Sequence, residues 1–329
     1  MTLQESKAIN SVRFICIIFL VLLHTHVDHL VCPTITNSIN RIQDFFNIPF
    51  LNILFILSGY LFFYSRKPLQ QGENWFKAIG IDKISKRSHT LLIPYIIWCI
   101  IAIVYNHFVK HVSWPNGITD FLIQFWDAND GHPIGKAMWY IKSLIIFSLF
   151  SPLYYYVVKW LKHLVLPLTL ILAGFDIPID YPYFNLYLLL GAYVAIMGFS
   201  FSDILNRFDW RLCLMFYLLL KGLLFFDVLP FKPAMPMAFL CFIALFGLMM
   251  KYNVHPTLTV SSSFIYFAHP YVTGVRNLYI KLVDNSTLLP SLTTWVLTAT
   301  TVIIICYATY RFMKRFTPKI LSIITGDRT

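Results

Sequence analysis

Apolar runs of about twenty residues, the length that crosses the hydrocarbon core of a bilayer as one helix, recur along this chain between short basic segments. Of its 329 residues 58% are hydrophobic and only 12% are charged, whereas a soluble domain is about a quarter charged. These runs predict an all-α, polytopic membrane protein. Thirty Phe, 19 Tyr and 8 Trp suit aromatic belts at the membrane surfaces and the lining of a cavity.

Ten ranges qualify as spans: 12–30, 47–64, 90–108, 137–158, 160–175, 184–200, 212–229, 235–250, 257–275 and 291–312. The fifth is short and carries Pro167. With the N-terminus in the cytoplasm, 18 of the 26 basic residues fall in inner segments and six in outer ones, while nine of the 15 acids lie outside. That asymmetry follows the positive-inside rule and puts both termini in the cytoplasm. It accounts for the net charge of +11 without nucleic acid. It also makes the inner face attractive to membrane lipid head groups or a polyanionic soluble ligand.

Six scattered cysteines form no CxxC pair and read as small buried hydrophobes, with neither a disulfide framework nor a metal site implied. The expectation is one integral membrane domain over residues 1–329 with no fused soluble domain. The longest outer connection, residues 109–136, is rich in Trp, Phe, Asp and Asn. That composition suits stacking on a sugar, and equally a loop resting on the membrane surface.

The first apolar run, SVRFICIIFLVLLHTHVDH, carries Arg13 at its inner edge and His24 eleven residues on. Eleven residues are about three helical turns, so the two side chains share a face about 16 Å apart. Ionisable groups inside a membrane segment are costly and mark function. Arg13 also reads as an anchor that snorkels to head groups, and His24 as a buried, hydrogen-bonded histidine. His26 falls about 140° away from the arginine's stripe. Asp28, four residues after His24, could face the imidazole and raise its basicity, or be solvated at the helix end.

Other segments carry polar groups that need an explanation. Ser58-Gly59, within NILFILSGYLFFYSRK, reads as a site of close helix packing; no nucleophile elbow surrounds the serine. Lys83, Lys86 and Arg87 precede Pro94 in DKISKRSHTLLIPYIIW. That basic cluster suits phosphate or is simple positive-inside charge. Lys142, in AMWYIKSLIIF, snorkels outward or faces the interior and holds an acyl oxygen or an acid. His269, in SFIYFAHPYV, is a hydrogen-bonded core group or a proton relay.

Taken in order, these segments resemble the acyltransferase-3 family of integral membrane acyltransferases. The family's Arg followed eleven residues later by His is matched by Arg13 and His24. Its FVLSGFL-like signature is matched by LFILSGYLFF, its KR run into L-x-P-Y by KRSHTLLIPY, its W-F/Y-L-R/K segment by WYIK, and its S-F-x-x-Y-x-x-H segment by SFIYFAH. The family often has a second Arg three residues after the first in the third motif, where this chain has Thr90 beside His89; phosphate contacts would then rest more on Arg87 and Lys86.

The resemblance implies acyl transfer across the cell membrane, from cytosolic acyl-CoA (acetyl-CoA by default) to a hydroxyl of an extracytoplasmic carbohydrate acceptor. Without an SGNH-type domain the chain would hand the acyl group directly to its acceptor. On this reading Arg13, Lys86 and Arg87 bind the donor's phosphates. His24, with Asp28, is the acyl-transfer centre, as general base or as nucleophile. Trp139, Lys142 and His269 are substrate-binding candidates. The competing class is a transporter or flippase of lipid-linked sugar, which predicts inverted repeats and broken helices.

Overall fold

In the computed structural model, residues 1–25, 33–47, 49–64, 87–128, 132–174, 182–229, 233–283 and 287–326 are described, and among them there is no β-strand. Helix α1 covers Leu3–His24, α2 Pro33–Asn47 and α3 Phe50–Tyr64, and a π-helical turn at Ser88–Leu92 leads into α4, Ile93–Lys110. Next come α5 (Gly117–Trp126), α6 (Trp139–Leu161), α7 (Val165–Gly174), α8 (Pro182–Ile196), α9 (Phe201–Leu205), α10 (Trp210–Phe225) and α11 (Ala234–Lys251). The last are α12 (Pro256–Thr259), α13 (Ser262–Val272), α14 (Val275–Leu282), α15 (Leu288–Phe316) and α16 (Pro318–Thr325).

Helical structure occupies the described part of each of the ten apolar ranges. Six stretches among the described residues are long and apolar enough to cross a membrane, among them Leu3–His24, His89–Lys110, Trp139–Thr169, Ala234–Lys251 and Leu288–Phe316. The fourth and fifth ranges run together within Trp139–Thr169, interrupted by a 3-10 turn at Lys162–Leu164 where Lys162 takes a left-handed φ of 49°. The ninth range is divided among α12, α13 and α14.

The first helix begins at Leu3, not near residue 12. The reason is local. Thr2 and Glu5 form a capping box: the Thr2 N–H donates to Glu5 Oε2 (2.8 Å) and the Glu5 N–H to Thr2 Oγ1 (3.1 Å), which satisfies donors that a helix start leaves orphaned. Glu5 is buried, and the Ser202 hydroxyl donates to its Oε1 at 2.6 Å. Two charged residues before Arg13 conceal this start from a reading of apolar length.

The chain forms two compact units. Unit 1 takes residues 1–69, 153–259 and 276–297; unit 2 takes 70–152, 260–275 and 298–329. In unit 1, α1 packs against α2, α3 and α11, and α3 lies along α8. The α3–α8 contact is backbone on backbone. A Cβ added to Gly59 would lie 2.1 Å from Leu188 O, and one added to Gly191 would lie 2.0 Å from Ile56 O. Small residues allow that approach where hydrocarbon offers helices no hydrophobic reward for associating. The packing role expected of Ser58-Gly59 is thus met, with Gly191 as the reciprocal partner.

Unit 2 is built on α4, α13 and α16. Trp98 stacks on Phe267 at 5.6 Å and on Tyr271 at 5.5 Å, and its indole N–H donates to Ile324 O at 2.9 Å. The Tyr271 hydroxyl donates back to Trp98 O at 3.0 Å. Cys16, Cys99, Cys213, Cys241 and Cys306 are buried free thiols, as expected; Cys32 lies outside the described residues.

Gly191→Val should separate α3 from α8. Overpacking of this kind costs about 1–3 kcal/mol, so the melting temperature in detergent should fall and folded yield with it. A melting curve equal to wild type would contradict the backbone contact.

Candidate functional site

Helix α1 puts Arg13 and His24 on one stripe, as their spacing requires, and extends by polar turns before Arg13. Arg13 is ten residues into a helix of 22 residues, and His24 is its last residue. Arg13 therefore sits about 15 Å from the helix start, half-buried, not at the helix edge. Among the described residues it makes no hydrogen bond or ion pair. A guanidinium offers five N–H donors and stays charged at any working pH. Half-buried, it is answered by no hydrogen bond or ion pair from the described residues.

The end of α1 is fixed from both sides. Thr25 Oγ1 donates to Val21 O at 3.0 Å, and the indole N–H of Trp295 donates to Leu22 O at 2.9 Å. Trp295 packs with Ile39 of α2, and Leu22, Ile42 and Leu292 close around them. His24 is half-buried on this anchored turn. Asp28, expected to orient it, lies outside the described residues.

Helix α2 was not among the expected spans, and it brings two amides that sequence reading passed over. Gln43 is fully buried, one turn from Ile39 and so on the same face as the contact with the end of α1. Its Nε2 and Oε1 have no hydrogen-bond partner, nor has Oδ1 of Asn40 three residues earlier. Residues three and four apart share a helix face. The available sequence signal was an apolar repeat (Ile35, Ile39, Ile42, Phe46) interrupted by Asn40 and Gln43. An unpaired buried amide costs about 1–3 kcal/mol, which a polar ligand would relieve.

The opposite face of α2 lines a cavity of about 190 Å³ with α10 and α11. Arg41 pairs with Asp227, and Lys221, only 4% exposed, donates to Asp44 O at 3.1 Å. Ile39 and Arg41 are two residues apart, about 200° around the helix. This polar pocket and the His24 end of α1 are therefore on different sides of α2.

The remaining candidates belong to unit 2. Arg87 is half-buried at the start of the π-helical turn; Lys86 lies outside the described residues. Lys142 faces inward: it is 5% exposed, donates to Trp126 O at 2.7 Å and lies 4.5 Å from the Trp126 ring centroid. Trp126 ends α5, the helix formed within the long aromatic connection. His269 is fully buried, and its Nδ1 lies 2.7 Å from Tyr266 O and 3.2 Å from Ile265 O. Carbonyls accept, so Nδ1 carries the proton. The Tyr266 hydroxyl in turn bonds Ala137 O, and Tyr140 packs edge-on against the same ring at 5.6 Å. Trp139 is half-buried with His132 edge-on at 6.5 Å. These groups frame one aromatic cluster at the start of α6.

Residues 6–311 match the model of the acyltransferase-3 family, described as an acyltransferase domain. No curated protein and no solved structure matches the chain.

Lys142→Met keeps the apolar stem and removes the donor to Trp126 O. A hydrogen bond from a charged group contributes about 1.5–3 kcal/mol, so the melting temperature should fall and α5 amides should exchange faster with deuterium. Unchanged exchange in residues 117–126 would remove Lys142 from this structural role.

Proposed function

The chain belongs to the acyltransferase-3 family, and from that membership we propose that it moves an acyl group, acetyl by default, from cytosolic acyl-CoA to a hydroxyl of a carbohydrate on the far side of the cell membrane. The observation that carries this reading is Arg13: a half-buried guanidinium where the apolar part of α1 begins, without a hydrogen bond or ion pair among the described residues, on one stripe with His24. Phosphates are the anions a guanidinium binds best, through paired, charge-assisted hydrogen bonds. Acyl-CoA supplies phosphates at one end and a thioester at the other. The pantetheine arm joining them is of the order of the 16 Å that helical rise puts between Arg13 and His24.

In this mechanism the donor's phosphates rest on Arg13, with Arg87 and Lys86 contributing to their capture. The thioester carbon reaches His24. His24 takes the proton of the acceptor hydroxyl, the hydroxyl oxygen bonds to the carbonyl carbon, and the thiolate of CoA leaves. Asp28 orients the imidazole, as a carboxylate does in other acyl-transfer sites. Asn40 and Gln43 donate and accept at the same end of α1, and a substrate hydroxyl or carbonyl there would satisfy amides that the protein leaves open. Trp139, Lys142 and His269 are kept as the acceptor's contacts. Lys142 and the Nδ1 of His269 already hold protein carbonyls, while the buried Nε2 of His269 makes no hydrogen bond, so His269 is the first of the three to test.

Three variants test the proposal with purified protein and radiolabelled acyl-CoA. His24→Ala should lower transfer about 10²–10⁴-fold, the usual worth of a positioned general base; a loss within threefold would sink the mechanism. Labelled protein surviving denaturation would make His24 the nucleophile instead. Arg13→Ala should raise donor KM about ten- to a hundredfold with a smaller change in kcat, and an unchanged KM removes Arg13 from donor binding.

Gln43→Leu should leave melting unchanged or raise it, because it removes an unpaired buried amide, yet lower kcat/KM about tenfold, the worth of one hydrogen bond in the transition state. Equal kcat/KM would assign Gln43 no part in the reaction.

A further inference from the structure

A second cavity in unit 1, of about 600 Å³, has no part in the mechanism above. Leu166, Leu190, Phe239 and Ile243 are among its walls, drawn from α7, α8 and α11. It is of the size of a ligand pocket and far larger than the water-sized voids of a packed interior. Water does not fill such a space, because a buried water needs two to four polar partners and these walls are hydrocarbon. A sugar fails for the same reason. The occupant has to be a hydrocarbon.

The few polar groups of the cavity come from the α6–α7 turn, from α8, and from α9 with the turn after it. His163 Nδ1 lies 2.8 Å from the Tyr193 hydroxyl, and both residues line the cavity. Arg207 also lines it, exposed, with its guanidinium 5.8 Å from the centroid of the Phe199 ring. Asp203 is the acid at this position. Its carboxylate accepts from the Ser200 N–H (2.8 Å) and hydroxyl (2.7 Å), the capping box that starts α9, and the Arg207 charge acts on it as well. Arg207 makes no hydrogen bond or ion pair with any described residue. Lys159 and Lys162 flank the turn that carries His163, while Asp209 and Arg211 offset one another. The charge around the mouth is therefore positive, and the charge asymmetry of the sequence assigns these residues to the cytoplasmic surface, where anionic lipids collect.

We propose that this cavity holds one hydrocarbon chain of an anionic phospholipid, with its phosphate on Arg207 and beside His163. The charge complementarity is specific to one end. The chain lies against Leu190, Phe239 and Ile243, and the head group meets the Arg207 guanidinium, whose charge also acts on Asp203 but which makes no hydrogen bond or ion pair with a described residue. The site is independent of acyl transfer: it shares no residue with Arg13, His24 or Gln43.

The test is native mass spectrometry of the full chain, released from mixed micelles holding equal amounts of phosphatidylglycerol and phosphatidylcholine with matched chains. Wild type should retain one phosphatidylglycerol and prefer it about tenfold, a difference of one tenfold step in affinity. Leu240→Trp fills the cavity and should lose that lipid while its melting curve stays cooperative; Ile243→Phe is the second filling variant should the first not fold. Arg207→Gln should retain a lipid without preferring phosphatidylglycerol. No retained lipid on wild type, equal retention of the two lipids by wild type, or full retention by both folded filling variants would each overturn the proposal. The wild-type measurement decides the matter even where no variant folds.

Discussion

Hydrocarbon offers no water to a backbone N–H or a cation, and each group left unsatisfied there costs several kcal/mol. The described residues meet that constraint locally. Lys142 and Lys221, the two lysines within the apolar runs, each give their ammonium to a backbone carbonyl and lie over an aromatic ring, of Trp126 and Phe45 respectively. Neither cation needs a buried carboxylate, whose desolvation is costly in its own right. Several hydroxyls behave alike: Ser148, Thr169 and Thr309 donate to carbonyls three or four residues back in their own helices, as such residues do mid-helix, while the buried hydroxyls of Thr294, Thr298 and Tyr310 on α15 make no hydrogen bond. With polar groups closed off in this way, helices are left to associate by shape. Gly59 and Gly191 do so at backbone contact.

Against that pattern the exceptions carry weight. Arg13, Gln43 and Asn40 lie in unit 1, and no protein group among the described residues answers the guanidinium or the amide atoms named. A solvated surface does not explain Gln43, which is fully buried, whereas Asn40 and Arg13 are half-buried. His269 shows both behaviours: its Nδ1–H is given to the carbonyls of its own helix, while its buried Nε2 makes no hydrogen bond. The accounting of hydrogen bonds, atom by atom, and not the residue type is what marks a candidate group here.

Much of this was legible in the sequence. The apolar runs fall on helices because length and composition fix that outcome in a bilayer, and the Arg13–His24 stripe follows from 3.6 residues per turn. Ser58-Gly59 announces close packing because small residues have few other uses in a span. Three features were not legible, each for a physical reason. The start of α1 at Leu3 depends on a capping box whose acid is buried against Ser202, a partner 197 residues away. Helix α2 is too polar to register as a span, and its buried face acquires meaning only where Trp295 and Leu22 meet Ile39. The inward turn of Lys142 depends on α5, a helix inside what composition presents as a loop. Long-range partners, not local propensity, decide all three.

The start of α1 also bears on what Arg13 must do. At the edge of a span a guanidinium can snorkel to head groups along its aliphatic stem. Here the turns before it, LQESKAINS, are polar, and Gln4, Lys7 and Asn10 are exposed, so Arg13 opens the apolar part of α1 and does not lie at its centre. Lys142 and Lys221 each have a carbonyl and a ring to answer them, whereas Arg13 makes no hydrogen bond or ion pair with a described residue. That contrast, together with the stripe shared with His24, is what the proposed donor site rests on.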